Sequence, residues 1–551
     1  MAIPVIDLFA GPGGLGEGFS SVLDKNNERV FDIKLSIEKE ENAHKTLTLR
    51  SFYRKFKLGS IPDEYYDVLK ERNLQNREEK INDLFNSYPK EAEEAKNEAW
   101  HFEMPYPEEF DKEGNKRGGY TESEIFERNK QIDEKIITAL SNHKDFVLIG
   151  GPPCQAYSLV GRSRNRGISA TDHRVHLYKE YLRIIAKHHP AIFVMENVKG
   201  LLSSKVDGQK IFELIKQDLR NPGNVYPEMN SPEYKIYSLV KEPDNDLFDN
   251  PEYKKDTDYL INSENYGVPQ KRHRVILLGI RKDLDVKPEV LTEKEKVTLK
   301  QVISDLPPIR SGLNRKFNSR EQVGDKIKRY YHRVKDNDHN WKVYFNNNKD
   351  EISKMNGLSE AVSEIDAELP ENSIGAEYIP CTTPTRSNPL HNWYKDKNDK
   401  IKGVCNHKSR SHLIEDLLRY MFVAVVLKKE NRFPRLNDYL KYSEKLIPDH
   451  ESALSGKFAD RFRVQAPDLP ATTVTSHISK DGHYFIHYDI NQNRSLTVRE
   501  AARIQTFPDN YLFRGSRTKQ FHQVGNAVPP YLAWQIGEVV KKILENYYEK
   551  S

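Results

Sequence analysis

The sequence has few cysteines, no long apolar run and little excess of either charge. Three cysteines, Cys154, Cys381 and Cys405, are scattered over 551 residues, which excludes a disulfide framework and leaves no cysteine pair for a metal. No apolar run approaches the roughly 20 residues of a membrane helix, and the N-terminus lacks the basic segment of a signal peptide. We therefore expect a soluble cytoplasmic protein with no metal and no membrane partner. The net charge of +4 is too small to indicate a nucleic-acid partner by itself.

The most informative stretch is Gly150–Gln155, which reads Gly-Gly-Pro-Pro-Cys-Gln. It follows the apolar run Phe146–Ile149, which predicts a buried strand, and its glycine and proline pairs predict a stiff turn. Ligands of open α/β sheets bind at the carboxyl ends of the strands. Cys154 is therefore a candidate nucleophile, although a lone cysteine is more often a small buried hydrophobic residue.

A glycine-rich turn follows the first predicted strand, residues 3–9. Residues 11–16 satisfy the pattern G-x-G-x-x-G, and Glu38 ends the next strand close to the spacing of about 20 residues expected of an acid that binds a ribose. The pattern predicts a cofactor that contains adenosine. It does not distinguish a dinucleotide from S-adenosylmethionine, so a NAD-dependent oxidoreductase stays open at this point.

A carboxylate and two arginines follow at further strand junctions. The apolar run Ile192–Met195 leads to Glu196, so Cys154 and Glu196 are predicted at two strand ends that face one crevice. Arg272 and Arg274 lead into another apolar strand, and strand periodicity places both on one face. Their guanidinium groups could bind Glu196, a substrate carbonyl or a phosphate. An exposed basic strand start is the alternative interpretation.

A thiol, an acid and a cation together fit one reaction, the methylation of cytosine at carbon 5. That carbon is a poor nucleophile until a thiolate adds at carbon 6. The addition pushes negative charge towards N3, where a carboxyl group that donates a proton or hydrogen bond stabilises it, and an arginine can bind O2. A hydride-transfer enzyme has no comparable need for the thiol, which disfavours the oxidoreductase.

The ordered motifs resemble those of the bacterial DNA cytosine-5 methyltransferases of restriction–modification systems. Six segments carry the resemblance in family order: Asp7–Gly14, Gly151–Gln155, Glu196–Val198, Gln270–Arg274, Arg499–Pro508 and Gln523–Pro529. The resemblance implies an α/β fold, with a Rossmann-like S-adenosylmethionine-dependent methyltransferase domain and a smaller inserted target-recognition domain. It also implies S-adenosylmethionine as the cofactor and double-stranded DNA as the substrate, with the target cytosine flipped out of the stack.

The resemblance assigns roles to individual residues. Cys154 is the implied nucleophile, Glu196 the partner of N3, and Arg272 and Arg274 the positioning groups. The implied cofactor-binding residues are Phe9, Gly11, Gly13, Gly14, Leu15, Glu38, Pro152, Asn526 and Val528. The implied DNA contacts lie on the loop after the nucleophile and are Gln155, Ser158, Arg162, Arg164 and Arg166.

The composition along the chain predicts three parts. Residues 1–309 form the catalytic domain, with a charged, mostly helical insertion at about 52–142 that obscures the family's adenine-binding residue. Within this part, apolar runs such as Val275–Ile280 are typical of strands buried in a parallel sheet. Residues 310–489 form the target-recognition domain, and residues 490–551 return to the catalytic domain.

Polar residues in the predicted recognition domain have two readings. Asn406–His407 and Arg410–His412 are either DNA contacts or local polar structure, and the second reading is slightly favoured. No code for the recognition sequence can be read from this region, since base-edge contacts depend on the three-dimensional surface.

Two alternatives stand beside a DNA cytosine-5 methyltransferase. An RNA cytosine-5 methyltransferase has the same core, but the long region 310–489 favours sequence-specific duplex DNA. A non-catalytic DNA-binding accessory protein is disfavoured because Cys154, Glu196 and Arg274 occur together. The preferred interpretation also includes a monomer on DNA and a cognate restriction endonuclease encoded nearby.

Overall fold

Two compact units make up the protein. The first comprises Met1–Ile61, Phe85–Lys296 and Ala527–Ser551, and the second comprises Pro62–Leu84 and Val297–Asn526. The computed structural model describes residues 2–111, 113–141, 143–153, 173–206, 209–245, 250–324, 326–365, 368–381, 388–395, 400–449 and 461–550.

The strands and helices are numbered along the whole chain. The strands of the first unit are β1 (Ile3–Leu8), β2 (Phe31–Glu38), β3 (Ala99–His101), β4 (Glu109–Phe110), β5 (Lys116–Gly118), β6 (Val147–Gly150), β7 (Ile192–Val198), β8 (Lys205–Val206), β9 (Gln209–Lys210), β10 (Tyr234–Tyr237), β11 (Leu260–Asn262), β12 (Gln270–Lys271) and β13 (His273–Arg281). The strands of the second unit are β14 (Gly312–Leu313), β15 (Arg315–Val323), β16 (Lys326–Arg333), β17 (Gly375–Pro380), β18 (Gly403–Lys408), β19 (Ser411–His412) and β20 (Ala471–Thr472).

The helices run from the first glycine turn to the C-terminal end of the described chain. They are α1 (Gly14–Ser20), α2 (Glu41–Arg54), α3 (Asp63–Lys70), α4 (Leu74–Ser87), α5 (Pro89–Glu98), α6 (Glu122–Leu140), α7 (His173–His188), α8 (Ile211–Arg220), α9 (Leu299–Ile303), α10 (Asp338–Ser353), α11 (Ser359–Ser363), α12 (His391–Tyr394), α13 (Ile414–Glu430), α14 (Leu436–Tyr439), α15 (Val498–Ile504), α16 (Arg517–Asn526) and α17 (Pro530–Lys550). Among the helices that the structure describes, none is both long enough and apolar enough to cross a bilayer.

An eight-stranded mixed sheet organises the first unit. Its order is β10–β13–β7–β6–β1–β2–β3, and β11 also pairs with β13. The pairs from β3 to β7 are parallel, whereas β7, β10 and β11 are antiparallel to β13. The chain leaves β1 for β2 on one side and later enters β6 on the other side. The carboxyl ends of β1 and β6 therefore form the switch point at which open α/β sheets bind ligands.

Helices cover both faces of this sheet because its central strands are apolar on both sides. On one face, Leu148, Phe193 and Leu277 belong to a cluster that includes the inner sides of α6, α7 and α8. On the other face, Val147, Val194 and further strand residues pack with α1 and α17. This layered arrangement confirms the predicted α/β fold class.

Two expectations about the first unit need correction. The apolar run of β13 is typical of a parallel strand, yet β13 is antiparallel to β7, since burial on both faces and not strand direction produces such a run. The segment 52–142 is mostly helical as expected, but it is not a simple insertion. Its strand β3 pairs with β2 in the main sheet, and Ile132 and Ile136 of α6 are fully buried in the core. Part of it, Pro62–Leu84, belongs to the second unit.

The second unit has its own core around α13. Apolar residues of α10 and α11 pack against α13, where Met421 and Val425 are fully buried. Helix α15 adds a polar anchor to this unit. Arg499 donates hydrogen bonds to the carbonyl oxygens of Cys405, Pro508 and Tyr511 at 2.8, 2.9 and 2.6 Å. The segment Arg499–Pro508 therefore stabilises the second unit internally.

The boundaries of the compact units differ from those of the predicted functional domains. Residues 297–309 and 490–526 belong to the second compact unit, whereas the sequence places the functional boundaries at 309/310 and 489/490. Compactness does not say which residues read DNA, so the functional division stays a prediction.

Candidate active site

The turn after β1 has backbone conformations that glycine adopts readily. Gly11 and Gly13 have φ angles of 58° and 92°. Phe9, just before the turn, also has a positive φ of 58°, which is uncommon for an aromatic residue and is held here by the surrounding fold. A Cβ atom on Gly11 would meet no described atom within 4 Å, so the turn borders open space.

Glu38 holds this turn from the end of the neighbouring strand β2. Its Oε2 accepts a hydrogen bond from the N–H of Gly11 at 2.8 Å, and its Oε1 accepts one from the N–H of Glu40 at 2.6 Å. Burial raises the pKa of Glu38, and these two donors oppose the increase. Each carboxylate oxygen has a second lone pair. Glu38 can therefore hold the turn and still accept hydrogen bonds from the hydroxyl groups of a ligand.

The segment before α17 contacts the turn because two glycines of α1 have no side chain. A Cβ atom on Gly14 would overlap the carbonyl oxygen of Val528, and one on Gly18 would overlap the Cβ of Ala533. Leu15 is 5% exposed and its side chain belongs to the apolar cluster between the sheet and α17. The structure thus brings Val528 to the glycine turn, whereas the Leu15 side chain is part of the core.

Asn526 lies on the other side of the boundary between the units. It is the last residue of α16, is exposed, and belongs to the second unit, while Val528 belongs to the first. Its contact with a cofactor stays a prediction.

The turn after β6 begins beside the glycine turn. Gly150 pairs with Leu8 of β1 and with Met195 of β7. Pro152, two residues later, is buried. The described chain then stops at Pro153, so the predicted nucleophile and the predicted loop contacts lie outside the described residues: Cys154, Gln155, Ser158, Arg162, Arg164 and Arg166.

Glu196 forms an ion pair at this edge of the sheet. It lies within β7, two residues before the last residue Val198. The sequence places it at the end of the strand, and that expectation is wrong. Glu196 is the first residue of β7 beyond the pairing with β6, which ends at Met195. Arg274 of β13 places its Nε 2.7 Å from Oε1 of Glu196, and the two side chains are only 15% and 14% exposed. A Cβ atom on Gly151 would lie 2.9 Å from Oε2 of Glu196, so this glycine makes room for the carboxylate.

Arg272 adds a second positive charge near this pair. Its side chain is 1% exposed, and burial, together with the charge of Arg274, lowers its pKa, while the charge of Glu196 opposes the decrease. His273 contacts a different carboxylate, with its Nε2 2.9 Å from Oε1 of Glu264. The structure thus groups both arginines with Glu196 and separates the histidine between them.

Asp7 is a buried acid beside the glycine turn that the sequence reasoning did not single out. It lies in β1 and is 1% exposed, and its carboxyl group faces the backbone of Gly16. Burial raises the pKa of Asp7 to about 8, with Arg54 opposing and Glu38 adding to the increase. A carboxyl group within the apolar run of β1 was the signal that could have identified it.

The end of β3 also reaches the ligand-binding edge of the sheet and was missed. The N–H of Phe102 donates to the carbonyl oxygen of Glu38 at 3.1 Å, and the ring of Trp100 stacks on that of Phe102 with centroids 4.0 Å apart. A strand of three residues inside a charged segment has no periodic signal, so only the pair of aromatic residues could have suggested it.

The sequence is similar to those of known DNA methyltransferases. The sequence profile of the C-5 cytosine-specific DNA methylases matches residues 113–236 and 245–542. The chain is 31% identical to the type II methyltransferase M.Bpa9945I of Bacillus paralicheniformis over 552 residues, which cover 99% of this chain and 100% of that relative. It is 26% identical to the type II methyltransferase M.DdeI of Desulfomicrobium norvegicum, over 72% of this chain and 73% of the relative. It is 25% identical to the DNA (cytosine-5-)-methyltransferase M.ApeKI of Aeropyrum pernix, over 74% and 83%.

Proposed function

Because the chain belongs to the C-5 cytosine-specific DNA methylases, we propose that it methylates a flipped cytosine in a specific duplex sequence through a covalent adduct with Cys154. The observation that carries the proposal is the ion pair of Glu196 and Arg274, 2.7 Å apart, beside Gly151 in the turn after β6. An oriented carboxyl group next to a thiol is what addition to a pyrimidine ring needs.

S-adenosylmethionine, when bound, supplies the electrophilic methyl group. The residues present fit it, because the turn at Gly11 borders open space and Glu38 has lone pairs available for ribose hydroxyls. The positive φ angles keep this turn narrow, so that backbone can approach a ligand closely. The proposed binding residues are Phe9, Gly11, Gly13, Gly14, Leu15, Glu38, Pro152, Asn526 and Val528, with Leu15 acting through its backbone.

The proposed chemistry divides between the thiol and the carboxyl group. The thiolate of Cys154 forms a bond to carbon 6 of cytosine, and the displaced electron pair moves towards N3. Glu196 shares a proton with N3 and stabilises that charge. Carbon 5 then takes the methyl group, with S-adenosylhomocysteine as the leaving group, and loses its own proton to a base. The sulfur–carbon bond then breaks, which restores the thiolate, and the proton at N3 returns to Glu196. Arg274 and Arg272 are positioning residues, since they orient Glu196.

The proposed DNA contacts follow from the loop after Cys154. The ring face of a cytosine cannot be reached inside a duplex, so the base must leave the stack. Gln155 and Ser158, together with the basic Arg162, Arg164 and Arg166, would then contact the DNA, with the arginines suited to phosphates. Two relatives are named type II methyltransferases. We therefore include a cognate restriction endonuclease in the proposal, with the protein acting as a monomer that protects host DNA.

Trapping on modified DNA tests the covalent route. The target is first located by sequencing 5-methylcytosine in plasmid DNA after expression. A duplex with 5-fluorocytosine at that position should form a stable adduct, because fluorine cannot leave carbon 5 as a proton does. Cys154→Ser should form no adduct and transfer no methyl group, whereas the control Cys381→Ser should do both like the wild type.

Three results would contradict the proposal. Methyl transfer at the wild-type rate by Cys154→Ser excludes the thiol as nucleophile. If the wild-type protein forms no adduct on the 5-fluorocytosine duplex that carries its target sequence, the covalent route is excluded. Labelling of RNA but not of DNA by wild-type protein would replace the DNA substrate with the RNA alternative.

A further inference from the structure

An exposed two-stranded hairpin stands out in the second unit. Strands β15 and β16 pair in antiparallel fashion from Arg315 opposite Arg333 to Val323 opposite Lys326, with an irregularity between Phe317 and Ser319. All residues of β15 except Phe317 are exposed. At about 3.4 Å per residue, a strand of nine residues spans roughly 30 Å.

The hairpin is strongly basic although the whole chain is nearly neutral. The acidic residues between positions 315 and 333 are Glu321 and Asp325. The basic residues in the same segment are Arg315, Lys316, Arg320, Lys326, Lys328, Arg329 and Arg333. Such local excess of positive charge is typical of a surface that contacts phosphates.

One face of the hairpin is attached to the rest of the unit. The N–H of Phe317 donates to Oε1 of Glu415 in α13 at 3.0 Å. Arg320 and Arg329, which lie opposite each other, both form ion pairs with Asp449, at 3.2 and 2.9 Å. These contacts fix the orientation of the hairpin and neutralise part of the charge on this face.

Three further cations lie over aromatic rings. Arg315 stands 5.1 Å from the centroid of Tyr331, Lys316 stands 5.7 Å from that of Tyr344, and Lys328 stands 5.3 Å from that of Tyr330. All three cations are exposed. Rings orient a cation without cancelling its charge, so these side chains are held ready for an anionic partner.

We propose that the β15–β16 hairpin is a DNA-binding ribbon that lies in the major groove of the duplex and contacts its phosphates. The inference rests on the proposed function and names an element of this chain that engages the DNA substrate. Paired strands lie about 4.8 Å apart, and the major groove, about 12 Å wide, admits a two-stranded ribbon. Cations occur along the whole length of the ribbon, roughly 30 Å, and such an extended row suits the phosphates of a duplex better than the surface of an acidic protein.

Of the five polar residues that the sequence offered as DNA contacts, Asn406, His407 and His412 are buried in this unit, Arg410 is half-buried and Ser411 is exposed. His407 is fully buried, with its ring nitrogens 2.9 Å from Oγ1 of Thr497 and 2.8 Å from the carbonyl oxygen of Pro307. His412 is 4% exposed, and its Nε2 lies 3.1 Å from Oγ of Ser495. Asn406, His407 and His412 therefore belong to local polar structure, which is the alternative that the sequence slightly favours, whereas exposed Ser411 decides nothing between the two readings.

The salt dependence of DNA binding tests the ribbon. The triple variant Arg315→Gln, Lys316→Gln and Lys328→Gln removes three exposed cations from the hairpin. The control variant Lys428→Gln, Lys441→Gln and Lys445→Gln removes the same charge from exposed sites of the same unit. The dissociation constant of the complex with a duplex that carries the target sequence is measured over a range of KCl concentrations. Each lost phosphate contact lowers the slope of log K against log salt by about 0.9.

We expect the hairpin variant to bind DNA more weakly than the wild type. The slope of log K against log salt should be smaller in magnitude by about 2 to 3 in this variant, whereas the control should keep the wild-type slope. An unchanged slope in the hairpin variant, with thermal unfolding as in the wild type, would overturn the proposal. So would an equal loss in the control, or weakened binding of duplex RNA without weakened binding of duplex DNA. The test does not require catalysis, because the phosphate contribution to binding is independent of sequence. A wild type that binds DNA without methylating it rejects the proposed function, and the slope of the hairpin variant is then measured on a duplex of arbitrary sequence.

Discussion

Replacing Arg274 by methionine tests whether it acts through Glu196. At an effective dielectric constant near 20, charges about 4 Å apart interact by roughly 4 kcal/mol, and loss of one partner of a buried pair costs about 3 to 5 kcal/mol. The side chains of this pair are 15% and 14% exposed, and Arg272 stays beside Glu196, so we expect the lower end, about 3 kcal/mol. If that loss falls on the transition state, kcat decreases about 100-fold. The affinity for S-adenosylmethionine should stay within about twofold.

A double-mutant cycle separates this role from a general loss of structure. Single-turnover methyl transfer and S-adenosylmethionine binding are measured for Arg274→Met, Glu196→Gln and the double variant. Residues that act as one unit are not additive, so the double variant should be little slower than the slower single variant, with a coupling energy of about 1 to 3 kcal/mol. Additive effects, or an equal loss of cofactor binding, would refute the reasoning.

Two further predictions concern stability. Gly14→Ala should lower the free energy of unfolding by about 1 to 3 kcal/mol, because the new Cβ would overlap the carbonyl oxygen of Val528. The control Glu545→Ala, on the exposed side of α17, should change it by less than about 0.5 kcal/mol. Equal midpoints of thermal unfolding for the two variants would contradict this packing. Burial lowers the pKa of His407 from 6.5 to about 4. Between these two pH values the unfolded chain binds a proton that the folded chain does not. The free energy of unfolding should therefore fall by about 3 kcal/mol as the pH drops from 6.5 to 4. His407→Asn should reduce this slope in urea titrations without abolishing it, since burial also lowers the pKa of His487 to about 4; an unchanged slope would exclude His407 as a source.

The parts of the site that could be predicted from sequence are those with a local signal. The glycine turn and Glu38 lie at strand ends, and Glu196 and the two arginines lie next to apolar runs, so pattern and chemistry coincide at these positions. The family resemblance implied Gly14 and Val528 as cofactor-binding residues, but no local pattern predicts the contact between them, since they are far apart in the chain. Hydrophobic periodicity reports only local structure and does not predict such a long-range contact.

The parts that the sequence did not reveal depend on tertiary pairing. β3 has three residues inside a charged segment, and its place in the sheet comes from pairing with β2. The direction of β13 cannot be predicted from its sequence, because an apolar run that is buried on both faces is the same in parallel and antiparallel strands. Arg499 resembles any helical arginine in the sequence, yet its three backbone acceptors lie in two segments of the second unit, one at Cys405 and one that contains Pro508 and Tyr511.

The packing of α17 on α1 has a consequence for synthesis on the ribosome. Leu15 and Phe19 of α1 are buried against a cluster that includes Leu532 and Ile536 of α17, some 500 residues later in the chain. At about 5 to 20 residues per second, α1 waits roughly half a minute to two minutes for the helix that covers it. During that time the glycine turn lacks the contact of Val528, and the nascent chain exposes apolar surface. The first unit therefore completes its fold only after the whole second unit has been made, and its earliest helix keeps an apolar face uncovered until then.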